Sequence, residues 1–468
     1  MGELSKVDTI KRGHGSPERP LAGELWDADS FPGFPAHRAT GDRDPVYDKV
    51  DYRRYYDRDY ARLEHDRVLM RSWLKACREE DLPEVGARLP VQVGRVSFFV
   101  VRTGEDSFKA FHNSCTHRGT QLCWKKDAGA KITCPYHAWE FALDGTVSHI
   151  PSHWDFKMVS PRNGALKEVA LARWGGFIFI NADPDATDFD DFLGVLPSHF
   201  EIMDMANRYT AGHWRKLVKA NWKLTQEAFM ESYHVVGTHA NAIPFSGDTQ
   251  SQYDIFLSGR HAVGRQLTPG GHPSMHAAPE VTTAESILGS ASFIRDMHFP
   301  DAALPEIDPA RPVRAQVANW FREQESKRLG RLCTLPDGVV LDSALYFMFA
   351  QSCLWLSEGL PFSYSFFPHE SDPELSYMEV RMLKHYPEGA TRPQPAERVE
   401  VGPDESVYEK VAAFGFLGTV FDQDFENLPR VQIGVRSASP TRNYAQLGSY
   451  QEFVIKQFHE LLDERMAG

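Results

Sequence analysis

The hydrophobic pattern divides the chain into unlike stretches. Residues 1–45 are rich in Pro, Gly and charge and show no sustained periodicity, which predicts an extended or disordered N-terminal arm. Around residues 60–76, Leu63, Val68, Leu69 and Trp73 recur at helical spacing. Strand patterning follows: Val96-Ser-Phe-Phe-Val-Val-Arg102 leads through Thr103-Gly104-Glu105-Asp106 into Phe108-Lys-Ala-Phe111. The segment from Phe141 to Val147 is a second hairpin, turned at Asp144-Gly145. A strand over 174–181 ends before Asp183-Pro184-Asp185, which reads as a linker, so one domain is expected over 46–185 and a second over 186–468.

The second region opens with a helix predicted over 222–236. A polar, Gly- and Pro-spotted stretch over 240–340 is too long for an ordinary loop and is expected to be an insertion near the substrate pocket, with short helices of its own. Strand-like runs over 345–356, 362–367 and 376–385 come next, followed by a helix pair over 405–466. No internal repeat is visible.

Composition narrows the function classes. The 468 residues carry a formal charge of −13, which argues against a nucleic-acid surface, and there is no basic amphipathic stretch for anionic lipid. No uncharged apolar run approaches the ~18 residues needed to span a bilayer, and the polar start lacks a signal-peptide core. The expected location is the cytoplasm. Of the 6 cysteines, Cys77, Cys123, Cys333 and Cys353 have no paired spacing and read as free thiols.

The other two stand in Cys115-Thr-His117 and Cys134-Pro-Tyr-His137, each a compact turn offering one thiolate and one imidazole. Two Cys and two His suit a [2Fe-2S] cluster with both cysteines on one iron and both histidines on the other. They also suit tetrahedral zinc, although zinc modules usually pair like with like across short gaps. A second constellation lies at Glu227, Glu231, His234 and His239. Spacings of four and three put the first three on one helix face, and Gly237 is placed to end the helix and turn His239 back toward His234. Two His and one carboxylate with open positions make a mononuclear Fe(II) site. Asp422, Asp424 and Glu426 are the candidate carboxylates.

Together these motifs resemble the catalytic α subunit of a Rieske non-haem iron aromatic-ring-hydroxylating oxygenase over roughly residues 45–465. Thr120 and Tyr136 stand where respiratory Rieske proteins carry an extra pair of cysteines, so the oxygenase type is the closer likeness. The resemblance implies an α+β chain: an N-terminal Rieske antiparallel β domain, then a helix-grip (START-like) catalytic domain with an antiparallel sheet. It selects Asp424 as third iron ligand, eight residues before Gln432. It also implies a homotrimer, with or without a separate β subunit, in which Glu231 links His234 to His137 of a second copy. Ring dioxygenases commonly have Asp at that position. Glu resembles variants that hydroxylate or demethylate non-aromatic or cationic substrates. Glu227 stands where Asn is frequent, and with Ala228 it is a candidate pocket residue.

The implied cofactors are the Rieske cluster and mononuclear Fe(II), with O2 as co-substrate. No dinucleotide-binding glycine motif follows a strand, so the implied partner is an NAD(P)H-dependent reductase, with or without a ferredoxin. The aromatic runs, including Tyr346, Phe347, Phe349, Trp355, Phe362, Phe366 and Phe367, favour a hydrophobic, aromatic small molecule. Monohydroxylation, dihydroxylation and demethylation all remain open. The competing classes are an electron-transfer Rieske protein and a zinc-binding module.

Overall fold

The computed structural model describes residues 22–27, 29, 34–41, 45 and 48–468. The chain is α+β, and its sheets are almost wholly antiparallel. The first large sheet has six strands in the order Leu74–Arg78, Phe177–Asn181, Glu168–Trp174, Ser107–His112, Val96–Gly104 and Arg88–Val93. Three short strands, Ile132–Thr133, Glu140–Phe141 and Val147–His149, form a small sheet beside it. An eight-stranded sheet follows, in the order Gln252–Ser258, His261–Thr268, Ser343–Met348, Ser352–Trp355, Phe362–Pro368, Ser376–Lys384, Tyr209–Val218 and Val399–Val401. Its last pairing alone is parallel.

One hydrophobic cluster runs through both halves of the chain. It joins Val91, Val93 and Phe98 to Trp214, Tyr364 and Phe421. A two-stranded ribbon, Lys49–Asp51 against Tyr444–Gln446, ties the start of this fold to its end.

Several expectations are corrected. Within its described residues the N-terminal arm is neither extended nor free. It forms short helices at Ala22–Asp27 and Pro35–Arg38, and Trp26, 3% exposed, donates its indole N–H to Asp342 at 2.8 Å. Arg314 bridges Asp29 and Asp342, so a buried cation with two carboxylates anchors a segment whose composition reads as loose. Other parts of 1–45 lie outside the described residues. The 240–340 stretch is not a simple insertion, because Gln252–Ser258 and His261–Thr268 extend the main sheet. The second of these strands is buried along its whole length, so it shows no alternation to read. Two long helices, Thr283–His298 and Val313–Leu329, complete the stretch. The expected helix over 60–76 is Arg58–Arg67, capped by Asp57, with strand resuming at Leu74. The C-terminal pair consists of Leu417–Arg436 and Phe453–Ala467, preceded by a single turn at Val407–Lys410.

Among the described residues, no helix is long and apolar enough to cross a membrane.

The Arg58–Arg67 helix is joined to the start of the Trp222–Glu227 helix by a buried charge. Glu64 accepts from the Trp222 indole at 2.9 Å, and the Lys223 ammonium lies 2.7 Å from the same carboxylate. Lys223 is fully buried, and burial lowers its pKa against the pull of Glu64. Removing one member of such a pair strands the other in a low dielectric. Lys223→Met is therefore expected to destabilise the protein by about 3–5 kcal/mol, and chemical denaturation of the purified variant measures it.

Candidate metal centres and cavity

The two Cys-His loops have matching backbones. In the first, the Gly119 N–H donates to the Cys115 carbonyl at 2.8 Å. In the second, the Ala138 N–H donates to the Cys134 carbonyl at 3.0 Å. Gly119 and Ala138 both take positive φ, 78° and 54°, which lets each loop fold back on its cysteine. Two backbone N–H groups then face each sulfur: those of His117 and Arg118 toward Cys115, and those of Tyr136 and His137 toward Cys134. Burial opposes both thiolates and, with the neighbouring Cys134, keeps the Cys115 pKa raised, whereas at Cys134 the two N–H groups, joined by hydrogen bonds from Cys115 and Thr120, lower it.

The histidines lie side by side, with ring centroids 4.6 Å apart, and His117 stacks on Trp139 at 4.9 Å. The His117 Nδ1 is buried and has no hydrogen-bond partner among the described residues, as suits a nitrogen that takes a metal. The donor set fits a two-iron cluster. All six cysteines are free of disulfides.

The second site is built differently from the continuous helix that the spacing predicts. The helix starts at the Asn221 cap and stops at Glu227. Tight turns follow, and a single helical turn, Val235–Thr238, leads to His239. The break has a local cause. Ser232 spends its hydroxyl on Ser251, Tyr253 and the Asp248 carbonyl, while Glu231 accepts the His234 backbone N–H at 2.9 Å. Gly237 lies inside the short turn and is not the residue that ends the helix.

The break brings His234 Nε2 within 3.2 Å of His239 Nε2, and Asp424 Oδ1 lies 3.5 Å from the first and 3.1 Å from the second. Among the described residues this trio is one group whose ligand atoms all lie within 4.8 Å of one another, and it suits a metal ion. Both Nδ1 atoms are held from behind. His234 Nδ1 donates to Glu231 at 2.7 Å, and His239 Nδ1 donates to Gln423 Oε1 at 2.8 Å. These partners select the tautomers whose Nε2 lone pairs face the shared point. Burial opposes a charge on His234, but Glu231 and Asp424 outweigh it and push its pKa up to about 9.

The rival carboxylates have other partners. Asp422 accepts from Ser406 Oγ at 2.5 Å and from the Val407 and Tyr408 N–H groups, capping a helical turn, and Glu426 pairs with Arg430 at the surface. Glu227 faces away from the cavity, accepting from Tyr55 at 3.0 Å and His459 at 2.9 Å, so its assignment to the pocket is corrected. Ala228 does line the cavity. Gln423 was missed, and nothing in its spacing marks it beyond its place beside Asp424.

The trio lines a cavity of about 220 Å³. Its walls are mainly apolar, with Phe229, Phe293, Trp355, Tyr364 and Phe421 prominent. No Lys or Arg is among its described lining residues.

Asp424→Ala is expected to abolish binding at the mononuclear site while leaving the visible spectrum of the cluster unchanged. Metal analysis with absorption spectroscopy reads both. Gln423→Leu frees the His239 ring and is expected to weaken iron affinity ~10- to 100-fold with all three ligands present, measured by iron titration.

Comparisons with known proteins match the stretches that carry the two Cys-His loops and the two histidines of the second site. Residues 72–160 match the Rieske [2Fe-2S] domain, and residues 205–298 match the ring hydroxylating alpha subunit catalytic domain. The glycine betaine monooxygenase oxygenase subunit of Pseudomonas aeruginosa is 34% identical over 212 residues, covering 44% of this chain and 48% of that protein. Benzene 1,2-dioxygenase subunit alpha of Pseudomonas putida is 29% identical over 250 residues, covering 52% and 55%. The alignments thus span about half the length of these curated relatives. Among solved structures, a quaternary ammonium Rieske monooxygenase superposes with a TM-score of 0.61 at 16% identity, covering 90% of this chain and 96% of the other. Naphthalene 1,2-dioxygenase superposes with a TM-score of 0.63 at 17% identity, covering 90% and 92%. The chain therefore joins a Rieske [2Fe-2S] domain to the catalytic domain of a ring-hydroxylating alpha subunit, and its relatives are Rieske oxygenase alpha subunits.

Proposed function

We propose that this chain is the terminal oxygenase component of a multicomponent Rieske oxygenase that hydroxylates an uncharged, hydrophobic, ring-bearing small molecule with O2. One observation carries the reading: His234, His239 and Asp424 converge in the wall of a mainly apolar cavity, in a chain that also holds a Rieske ligand quartet. When bound, the iron ion and the cluster supply the O2 reduction and single-electron delivery that closed-shell organic molecules require. The protein's own part is to leave a face of the trio open, orient both imidazoles through Glu231 and Gln423, and keep water from the reacting centre with aromatic walls.

Electrons are assigned to an NAD(P)H-dependent reductase, with or without a ferredoxin, and the location to the cytoplasm. His137 is half-buried, and its neighbour Tyr136 is 58% exposed, so the cluster loops face outward. This supports a homotrimer in which the cluster of one copy serves the iron of the next, with Glu231 as the link.

A second reading is oxidation of a quaternary ammonium compound. It is favoured by the glycine betaine and carnitine monooxygenase relatives, at 34% and 32% identity, and by the Glu at position 231. Betaine and carnitine are zwitterions whose carboxylate calls for a cation or a set of strong donors, and no Lys or Arg lines this cavity among the described residues. Aromatic walls suit a quaternary ammonium as well as a ring, so it is the missing cation for a carboxylate that favours the neutral substrate.

Anaerobically purified protein is expected to hold about three irons and two sulfides per chain, and to add oxygen to a ring compound when supplied with a reductase. Zinc without sulfide would overturn the reading, and product mass decides between one and two oxygens. Glu231→Gln is expected to keep both metals and slow single-turnover product formation by ~10- to 100-fold.

A further inference from the structure

We propose that Gln266 and Trp355 form a polar recognition subsite within the cavity, and that the substrate is an uncharged ring compound bearing a hydrogen-bonding substituent, of which hydroxyl is the simplest. The inference rests on reading this cavity as the substrate site.

Sheet register sets the geometry. Gln266 pairs with Leu345, and Leu345 pairs with Trp355, so the three form one row across three adjacent strands. Directly paired residues project from the same face of a sheet. All three line the cavity. Their sequence neighbours Leu267, Ala344 and Leu354 belong to the hydrophobic cluster on the opposite face, which fixes the direction of the row.

Two members of this row present polar atoms that the protein does not satisfy. Gln266 Oε1 and the Trp355 indole N–H are buried without hydrogen-bond partners among the described residues. The Gln266 side chain is 95% buried, since the residue is 5% exposed, and its Nε2 donates to Thr268 Oγ1 at 3.3 Å. Turning the amide over leaves its nitrogen unmatched instead, so either orientation leaves one free polar atom on a residue that lines the cavity. The Trp355 ring is braced by Phe362 and Tyr364, each with its centroid at 5.6 Å. Polar atoms in an apolar wall are normally matched. A purely hydrocarbon ligand would leave both unmatched, and a carboxylate would find no cation.

One hydroxyl can accept from the indole N–H while donating to the amide oxygen, or accept from both groups with the amide turned over, so it suits either amide orientation. Such a site rejects an analogue that lacks the polar group far more strongly than a greasy pocket rejects an extra methylene.

The test uses the full-length, iron- and cluster-loaded protein with three probes of one shape: naphthalene, 2-naphthol and 2-naphthoate. Calorimetric titration is expected to show 2-naphthol binding at least ~10-fold tighter than either of the others. In Gln266→Leu and in Trp355→Phe the preference for naphthol over naphthalene should fall below ~3-fold. Two variants are needed so that misfolding of one does not decide the outcome. Equal binding of naphthol and naphthalene, tightest binding of naphthoate, no binding of any probe, or a preference that survives both variants would each overturn the inference. Hydroxylation of the bound probe is scored separately. An inactive protein that keeps the preference removes the oxygenase reading and leaves the subsite, whereas an active one without the preference does the reverse.

Discussion

Everything at the iron end of this molecule depends on how the Leu417–Arg436 helix is held against the broken segment that carries the two histidines. Gln432 accepts the Asn221 backbone N–H at 2.8 Å, where the segment begins. Asn427 donates to Thr238 at 3.0 Å, and Gln423 receives His239 at 2.8 Å, where it ends. Phe421 and Phe425 pack edge-on against Trp214 in the main sheet and fix the rotation of the helix. With position and rotation both set, Asp424 has one place to be. The carboxylate reaches the histidines because three amides of its own helix grip the segment they stand on.

How much of this was legible in the sequence follows from the range of the forces involved. Cys115, His117, Cys134 and His137 are each brought together by one tight turn, so spacing alone displayed them. His234 and His239 were visible for the same reason, five residues apart. The continuous helix that the spacing predicts is broken between them, because Ser232 and Glu231 use side chains to hold backbone in turns, and periodicity cannot see that. Asp424 could not be separated from Asp422 by helical geometry. The distinction lies in Ser406 and the Val407 N–H, which engage Asp422 from elsewhere in the fold. Gln423 and the partners of Glu227 rest on contacts across hundreds of residues.

The same logic applies to the described residues of 1–45 and to 240–340, whose composition reads as loose. Both bury apolar side chains without a readable period, Trp26 and Ala36 in the first and Ile287, Ile294, Val317 and Phe321 in the second, and both carry buried ion pairs among them. Arg314 with Asp29 and Asp342, and Arg265 with Asp254, hold polar sequence inside the protein. A buried pair of this kind contributes modest net stability, because desolvation offsets most of the attraction. Its orientation requirement is strict, however, and that matters beside a cavity whose walls must keep their shape.

The ribbon between Lys49–Asp51 and Tyr444–Gln446 has a consequence for the whole assembly. The sheet beside the cluster loops is joined to the eight-stranded sheet by more than chain continuity: by this ribbon, by the Glu64–Lys223 pair and by the shared hydrophobic cluster. A body fastened at several separate points loses the swivel that a single linker permits. The cluster loops are then aimed outward at a set bearing from the iron of their own chain. Whatever docks on those loops therefore meets them in one orientation relative to the eight-stranded sheet.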